Sequence, residues 1–521
     1  MITANLVPSL LYISIATLVV PLFWGVAPKK SVLGKTEVSG PVSWILFLLS
    51  LIMSVFTTAY ASARGYDVKF FSFVTTFINK YGWLNAFKTD KPLFYIPLSL
   101  FHSVTGAPSE VCLVYWGLVL GILFTVSVYV FAHELTGNRL VAGVSAMLVA
   151  QSNIFLNYVV NFMPNLLGLS LTLLFLSCVI KMRRRPMFFY PASLLFLGIA
   201  LSHLQSMGFL IIVLGLFTAY RLLRGKEKII SPLTLLLSLC LVVGVLVFIL
   251  IPSYSTVVID QMIGASAFFR LTPSLSFLSV PNVDWASEEL VFSLLSLLGL
   301  SKLFTLNEDY DMLKIYVLTV FSLFFFSGPY YGRMFILIPF PVFGGLGAAE
   351  IMGKMPKIKW SWVVILILVF TQSWNVFYDQ RITLSRYTAT SNKYDLKFPE
   401  TASLTWVSRN YDLDSVAIVT NRGWNPHGYG NDGLHYRILD IVGNNVYFGN
   451  VSGLLSGLPD DRGSSNRYLG FYSSLRVDWT LPGKTIIVDT RIYDVTREDE
   501  PHLIETAMAG VYVYAVEGDP K

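Results

Sequence analysis

Long apolar runs separated by short polar segments dominate the first three-quarters of the chain. A membrane-spanning helix needs roughly 20 apolar residues. Runs of that kind fall at 6–26, 43–62, 112–132, 140–156, 166–180, 187–202, 206–222, 230–251, 290–306, 314–328, 333–350 and 360–378. One stretch needs interpretation: from Phe188 to Arg221 the sequence is continuously apolar. As one helix it would be about 50 Å long, against a hydrocarbon core of about 30 Å. Both of its ends are basic. The pattern predicts a hairpin of two short helices turning near "SHLQS", with His203 at the outer surface. The competing arrangement is a single tilted helix with His203 inside the bundle.

The pattern changes after Tyr378. Short alternating runs, "SVAIVT", "NNVYFG", "KTIIVDT" and "VYVYAV", sit between turn-rich segments and read as strands. "PETASLTWVSRNYDL" reads as a helix before the first of them. The expected organisation is a polytopic α-helical membrane domain of about 12 spans over residues 1–378 and a small soluble α/β domain over 379–521.

Charge orients the spans. Short loops with Lys29, Lys30, Lys35, Arg139, Lys181, Arg183 to Arg185, Arg221, Arg224, Lys226, Lys228, Lys354, Lys357 and Lys359 should face the cytoplasm. Segments 63–111, 157–165, 252–289 and 328–332, with the C-terminal domain, should face outward. The Asn450-Val-Ser452 acceptor triplet fits that side. The first run, 6–26, reads as a retained helix rather than a cleaved leader.

Composition agrees: 54% of residues are hydrophobic and 13% are charged, about half the usual charged share of a soluble domain. A net charge of +6 gives no reason to expect nucleic acid as a partner. Cys112, Cys178 and Cys240 fall in apolar runs and read as packing residues. There is no nucleotide-type glycine-rich loop and no zinc pattern.

The first outer loop reads "ARGYDVKFFSFVTTFINKYGWLNAFKTDKPLFYIPLSLFHSVTGAPSE". Asp67 directly follows the second span. Val68 to Ile78 has the spacing of an amphipathic interfacial helix. Lys91 borders a second apolar run. A carboxylate at a membrane cavity could take a proton from an acceptor hydroxyl, and a nearby cation could stabilise a phosphate leaving group. The same residues also suit a helix cap and a snorkelling lysine. In "SGPYYGRMFILIPFPVFGG", Arg333 follows two tyrosines and could bind a lipid phosphate or anchor the interface. His203 could join that phosphate or satisfy a carbonyl. Tyr66, Glu288 and Tyr331 are further candidates for substrate loops. The loop 252–289 also carries Asp260, Arg270, Asp284 and Glu289, which equally suit a solvated surface. "NRGWNPHGYGNDGLHYR" has a sugar-contacting composition, but His427 and His435 lack metal-ligand spacing.

Gly65-Tyr66-Asp67, "TDKPLFYIPLSLFHSVTG", "FAHELTGNRLVAGVSAMLVAQSNIFLNY", "ALSHLQS" and "YYGRMFILIPFPVF" occur in this order over roughly residues 43–350. In that order the chain resembles the GT-C superfamily of membrane glycosyltransferases. More narrowly it resembles the branch with protein O-mannosyltransferases and the aminoarabinose transferase of lipid A. The resemblance implies a polyprenyl-phosphate sugar donor and inverting transfer to a protein, lipid or glycan acceptor. It implies Asp67 as catalytic base or metal-site acid, and Lys91, Arg333 and His203 as ligands of the carrier phosphate. Two departures stand out. The region "YVVNFMPNLLGL" offers Asn161 and Asn165 where members often carry a second aspartate. That disfavours a metal site bridged by two carboxylates, and dependence on a divalent cation stays open. Asp67 also follows the second span rather than the first.

A transporter or flippase of lipid-linked sugars would use the same cations without breaking bonds. It would more often show repeated halves and broken helices at mid-membrane. An oligosaccharyltransferase of the same superfamily fits less well, because no "WWDYG"-like signature follows residue 379.

Overall fold

A computed structural model of the chain describes residues 40–61, most of 71–89, 91–152, four residues between 155 and 159, 162–251, 290–303, 310–327 and 339–354. It also describes five residues between 363 and 374, and the segments 416–420, 446–448, 485–489 and 512–516. Two compact units emerge: Met1–Ser62 with Val114–Thr383, and Ala63–Leu113 with Leu384–Lys521.

The first unit is helical. Its elements are α1 (Gly40–Ala61), α3 (Ser109–Thr136, whose first turn lies in the second unit), α4 (Arg139–Ala150), α5 (Met163–Met182), α6 (Phe189–Ser202), α7 (Leu204–Leu223), α8 (Pro232–Leu250), α9 (Leu290–Leu303), α10 (Asp311–Ser327) and α11 (Pro339–Lys354). Among the described residues, α3, α5, α7 and α8 are long and apolar enough to cross a membrane. Shorter apolar helices cover Ser43–Ala59, Arg139–Ala150, Pro186–Ser202 and Phe340–Met352. On α8, Leu235, Val242, Val245 and Ile249 form an exposed apolar stripe at helical spacing. Such a stripe suits contact with lipid and would be a liability in water. Ile367, Phe370 and Trp374 repeat that pattern on helical residues of the last predicted span. The predicted span 6–26 lies outside the described residues.

One side of this unit is a four-helix core. Leu46 of α1, Val144 and Leu148 of α4, Leu295 of α9 and Ala348 of α11 bury one another. Small residues allow the backbones to approach, as expected where helix association rests on packing rather than on water exclusion. A Cβ on Gly347 would collide with the carbonyl of Leu295, and one on Gly299 with that of Phe343. The Ser296 hydroxyl donates to the Phe340 carbonyl at 3.0 Å and joins α9 to α11.

Two expectations change. The run 140–156 is not one helix. After its first residue α4 is buried throughout, and it ends at Ala150, about 18 Å long. Ser152 then opens a new helical turn: its Oγ accepts from the Phe155 N–H at 3.1 Å and its carbonyl from the Leu156 N–H at 3.1 Å. Nor is 157–165 an open loop. Tyr158 and Val159 are helical and buried, and α5 starts at Met163 with Pro164 in its first turn. A proline there loses no helical hydrogen bond.

The second unit holds helical residues between 71 and 79, a 3-10 helix (Trp83–Lys88), α2 (Pro92–Thr105) and the first turn of α3. The stretch predicted as an interfacial helix is helical, but it is packed within its unit. Phe71, Val74 and Ile78 are buried, as are Ser72 and Thr75. Phe71 meets Phe94 at 5.3 Å and Tyr95 at 6.4 Å, and Ser72 shares a 2.5 Å hydrogen bond with Ser109. This unit also holds β1 (Val416–Thr420), β2 (Val446–Phe448), β3 (Thr485–Asp489) and β4 (Tyr512–Val516). These are the four runs picked from alternation. They form one sheet in the order β2-β1-β3-β4, with β1 parallel to β2 and β3, and β4 antiparallel to β3. Parallel neighbours need crossover connections of a dozen or more residues, and segments 421–445 and 449–484 are long enough to supply them. The helix predicted at "PETASLTWVSRNYDL" lies outside the described residues.

Candidate active site

Lys91 is the N-cap residue of α2 and is partly exposed. Several features fix its position. The Thr89 hydroxyl donates to the Ala86 carbonyl at 2.6 Å and accepts from the Lys91 N–H at 3.2 Å. The Lys91 carbonyl accepts from Phe94 N–H at 3.0 Å and Tyr95 N–H at 3.3 Å. Pro92 follows as the first helical residue. Phe94 and Tyr95, each under 2% exposed, then lock the first turn against Phe71. The backbone of Lys91 thus sits at the positive end of the α2 dipole.

His203 is where the apolar run 188–221 breaks. Its backbone is extended, at φ −160° and ψ 98°, and it caps α6 at one end and α7 at the other. The predicted helix break is thus at the predicted place. The ring, however, is not laid open at an outer surface: His203 is 5% exposed. It packs on Gly168 of α5, where an added Cβ would come within 2.6 Å of the His203 Cβ. The absence of a side chain at 168 is what admits the ring. Nδ1 accepts from the Ser206 N–H at 3.3 Å and pairs with the Ser206 hydroxyl at 2.7 Å. With Nδ1 as acceptor, the proton of the neutral ring resides on Nε2, which becomes a donor.

Near this break Asn165, already singled out in the sequence, is buried one turn before Gly168 on α5. Further buried polar groups lie there too. The Gln205 Oε1 is buried with no hydrogen-bond partner, and so is the hydroxyl of Tyr316 on α10. Tyr316 meets Phe209 of α7 edge-on at 5.0 Å. Leaving such groups unpaired costs about 1–3 kcal/mol each. Gln205 and Ser206 stood inside the "SHLQS" signal, but Tyr316 and Gly168 had no local signature.

Tyr66, Asp67, Glu288, Tyr331 and Arg333 lie outside the described residues, as does Asn161. Lys91 belongs to the second unit and His203 to the first. The cysteines read as packing residues are free thiols; Cys112 and Cys240 are buried and Cys178 is half-buried. Among the described residues no three His, Cys, Asp or Glu side chains gather as a metal-ligand set.

No protein-family model matches the chain, and no curated protein matches it. Solved structures do. The archaeal oligosaccharyltransferase AglB from Archaeoglobus fulgidus, in complex with an inhibitory peptide and a dolichol-phosphate, aligns at TM-score 0.55 and 11% identity, over 86% of this chain and 69% of that one. ArnT from Cupriavidus metallidurans in the apo state aligns at TM-score 0.54 and 12% identity, over 92% of this chain and 98% of that one. The same ArnT bound to undecaprenyl phosphate aligns at TM-score 0.53. This chain has their fold.

Proposed function

We propose that the protein transfers a sugar from a polyprenyl-phosphate carrier to a hydroxyl of a protein, lipid or glycan acceptor, with inversion, on the outer side of the membrane. The observation that carries this reading is the fold shared over 92% of the chain with ArnT, which has been solved with undecaprenyl phosphate. AglB, solved with a dolichol-phosphate, supports the same carrier class.

The chemistry asks little of the protein. Asp67 takes the proton as the acceptor oxygen bonds to the anomeric carbon. The bond from that carbon to the phosphate oxygen breaks, and the phosphate leaves with the electron pair. Lys91, at the head of α2, and Arg333 stabilise the departing charge, and His203 offers Nε2–H to it. In this reading the chain crosses the membrane about twelve times, residues 379–521 face outward, and these groups share one side of the bilayer.

The test uses purified protein with radiolabelled polyprenyl-phosphate sugar and acceptor. Asp67→Asn is expected to lower transfer at saturating substrate about 10²–10⁴-fold. Lys91→Met should raise the carrier KM and lower kcat together, because it acts on ground state and leaving group alike. Equal transfer by wild type and Asp67→Asn would remove Asp67 as the base. Movement of labelled lipid across vesicles without transfer would make the protein a flippase.

A further inference from the structure

The first unit contains a cavity of about 750 Å³ that plays no part in the proposed chemistry. It is walled by the C-terminal ends of α3, α5 and α7 and the start of α8. Arg221, at the end of α7, lies 18 residues from His203, about 27 Å along the helix axis. That is nearly the thickness of a hydrocarbon core, so the cavity is at the far end of the helix from His203.

We propose that this cavity binds a phosphate-bearing anion. Four cations, Arg183, Arg184, Arg221 and Lys226, line it with two carboxylates, Glu134 and Glu227. Part of that charge has a structural use. Lys181, beside the cavity, pairs with Glu134 at 2.9 Å, and Arg221 pairs with Glu227 at 3.1 Å. The three helix C-termini contribute about −1.5 of partial charge, and the start of α8 returns about +0.5. Counting Lys181, the cations at the cavity outnumber the carboxylates five to two, which suits the negative charge of a phosphate diester or monoester. The size also fits, since cavities of about 300–1,000 Å³ hold small ligands.

The wall is built before any ligand arrives. Arg221 is held three ways: by Glu227, by a 2.9 Å hydrogen bond to the Lys226 carbonyl, and by the Phe217 ring 5.9 Å away. Its side chain is only 11% exposed. Arg183 and Arg184 are exposed at the mouth. Close in sequence to the lining residues, Met187, Leu223, Ile229 and Ile230 expose large apolar side chains. Cations with exposed apolar neighbours suit a lipid headgroup and its chains. A soluble phosphate compound shares the headgroup chemistry but has no use for the apolar neighbours.

The experiment measures thermal unfolding of the purified full-length protein in detergent. Its probes are dioctanoyl phosphatidylglycerol, dioctanoyl phosphatidylcholine and inorganic phosphate. Phosphatidylglycerol is expected to raise Tm by about 2–4 °C and phosphatidylcholine not to. An equal rise with inorganic phosphate alone would assign the cavity to soluble phosphate compounds rather than lipid. The double variant R183Q/R184Q should lose the rise, while R185Q, an equally exposed neighbour outside the lining, should keep it. Each variant's Tm without added probe shows that it is folded. Equal loss in R185Q and in R183Q/R184Q would reduce the effect to general surface attraction and overturn the proposal. So would no rise with any anionic probe.

Discussion

His203 has one structural job and one proposed chemical job, and substitution can separate them. As N-cap of α7 it needs only an acceptor aimed at the Ser206 N–H. Asparagine supplies one. His203→Asn should therefore keep the wild-type Tm within about 1 °C, while His203→Ala should cost about 1 kcal/mol. If Nε2–H contacts the carrier phosphate, both variants should lose transfer about equally. Transfer that followed Tm instead would make His203 purely a cap. Gly168 offers a steric counterpart. Gly168→Ala forces a methyl against the His203 Cβ, at a cost of about 1–3 kcal/mol. Gly208→Ala on α7 meets nothing within 4 Å and should be neutral or stabilising by up to about 1 kcal/mol. Both are measured by melting in detergent.

Among the described elements, α9 and α11 form the pair whose backbones approach most tightly at glycine. Gly347→Leu would drive a side chain into the Leu295 carbonyl and should unfold or separate this pair, lowering Tm by more than any surface substitution. Ser296→Ala removes only its bond to the Phe340 carbonyl and should cost about 0.6 kcal/mol. The helices were legible in the sequence because each needs only a run of apolar residues. Their ends were less so. Past the stop of α4 at Ala150, Ser152 donates to the Val149 carbonyl, as Ser170 does to that of Leu166, but it also accepts from the Phe155 N–H of the next turn, and nothing local in an apolar run announces that second bond. The four strands were legible because alternation needs only a half-buried sheet. Their order, β2-β1-β3-β4, was not, because pairing joins residues far apart in sequence.

For the molecule as a whole, the proposed orientation predicts opposite labelling at its two faces. Cys112 and Cys240 are buried and Cys178 is half-buried, so background labelling is low. In sealed cells a membrane-impermeant maleimide should label Gly430→Cys but reach Arg184→Cys only after permeabilisation. The reverse pattern would invert the topology and move the basic cavity to the outer face.

By itself the sequence determined that the chain is dominated by apolar helices, where the run 188–221 must break, and which four runs become strands. Each follows from local pattern and from the fixed rise of a helix. Tertiary structure alone decided that His203 turns inward, because the space for its ring is made by a missing side chain on α5. It also decided that the stretch expected at the interface is packed against α2, and that separate basic loops surround one cavity. Those facts depend on which helix neighbours which, and packing sets that by shape across residues distant in the chain.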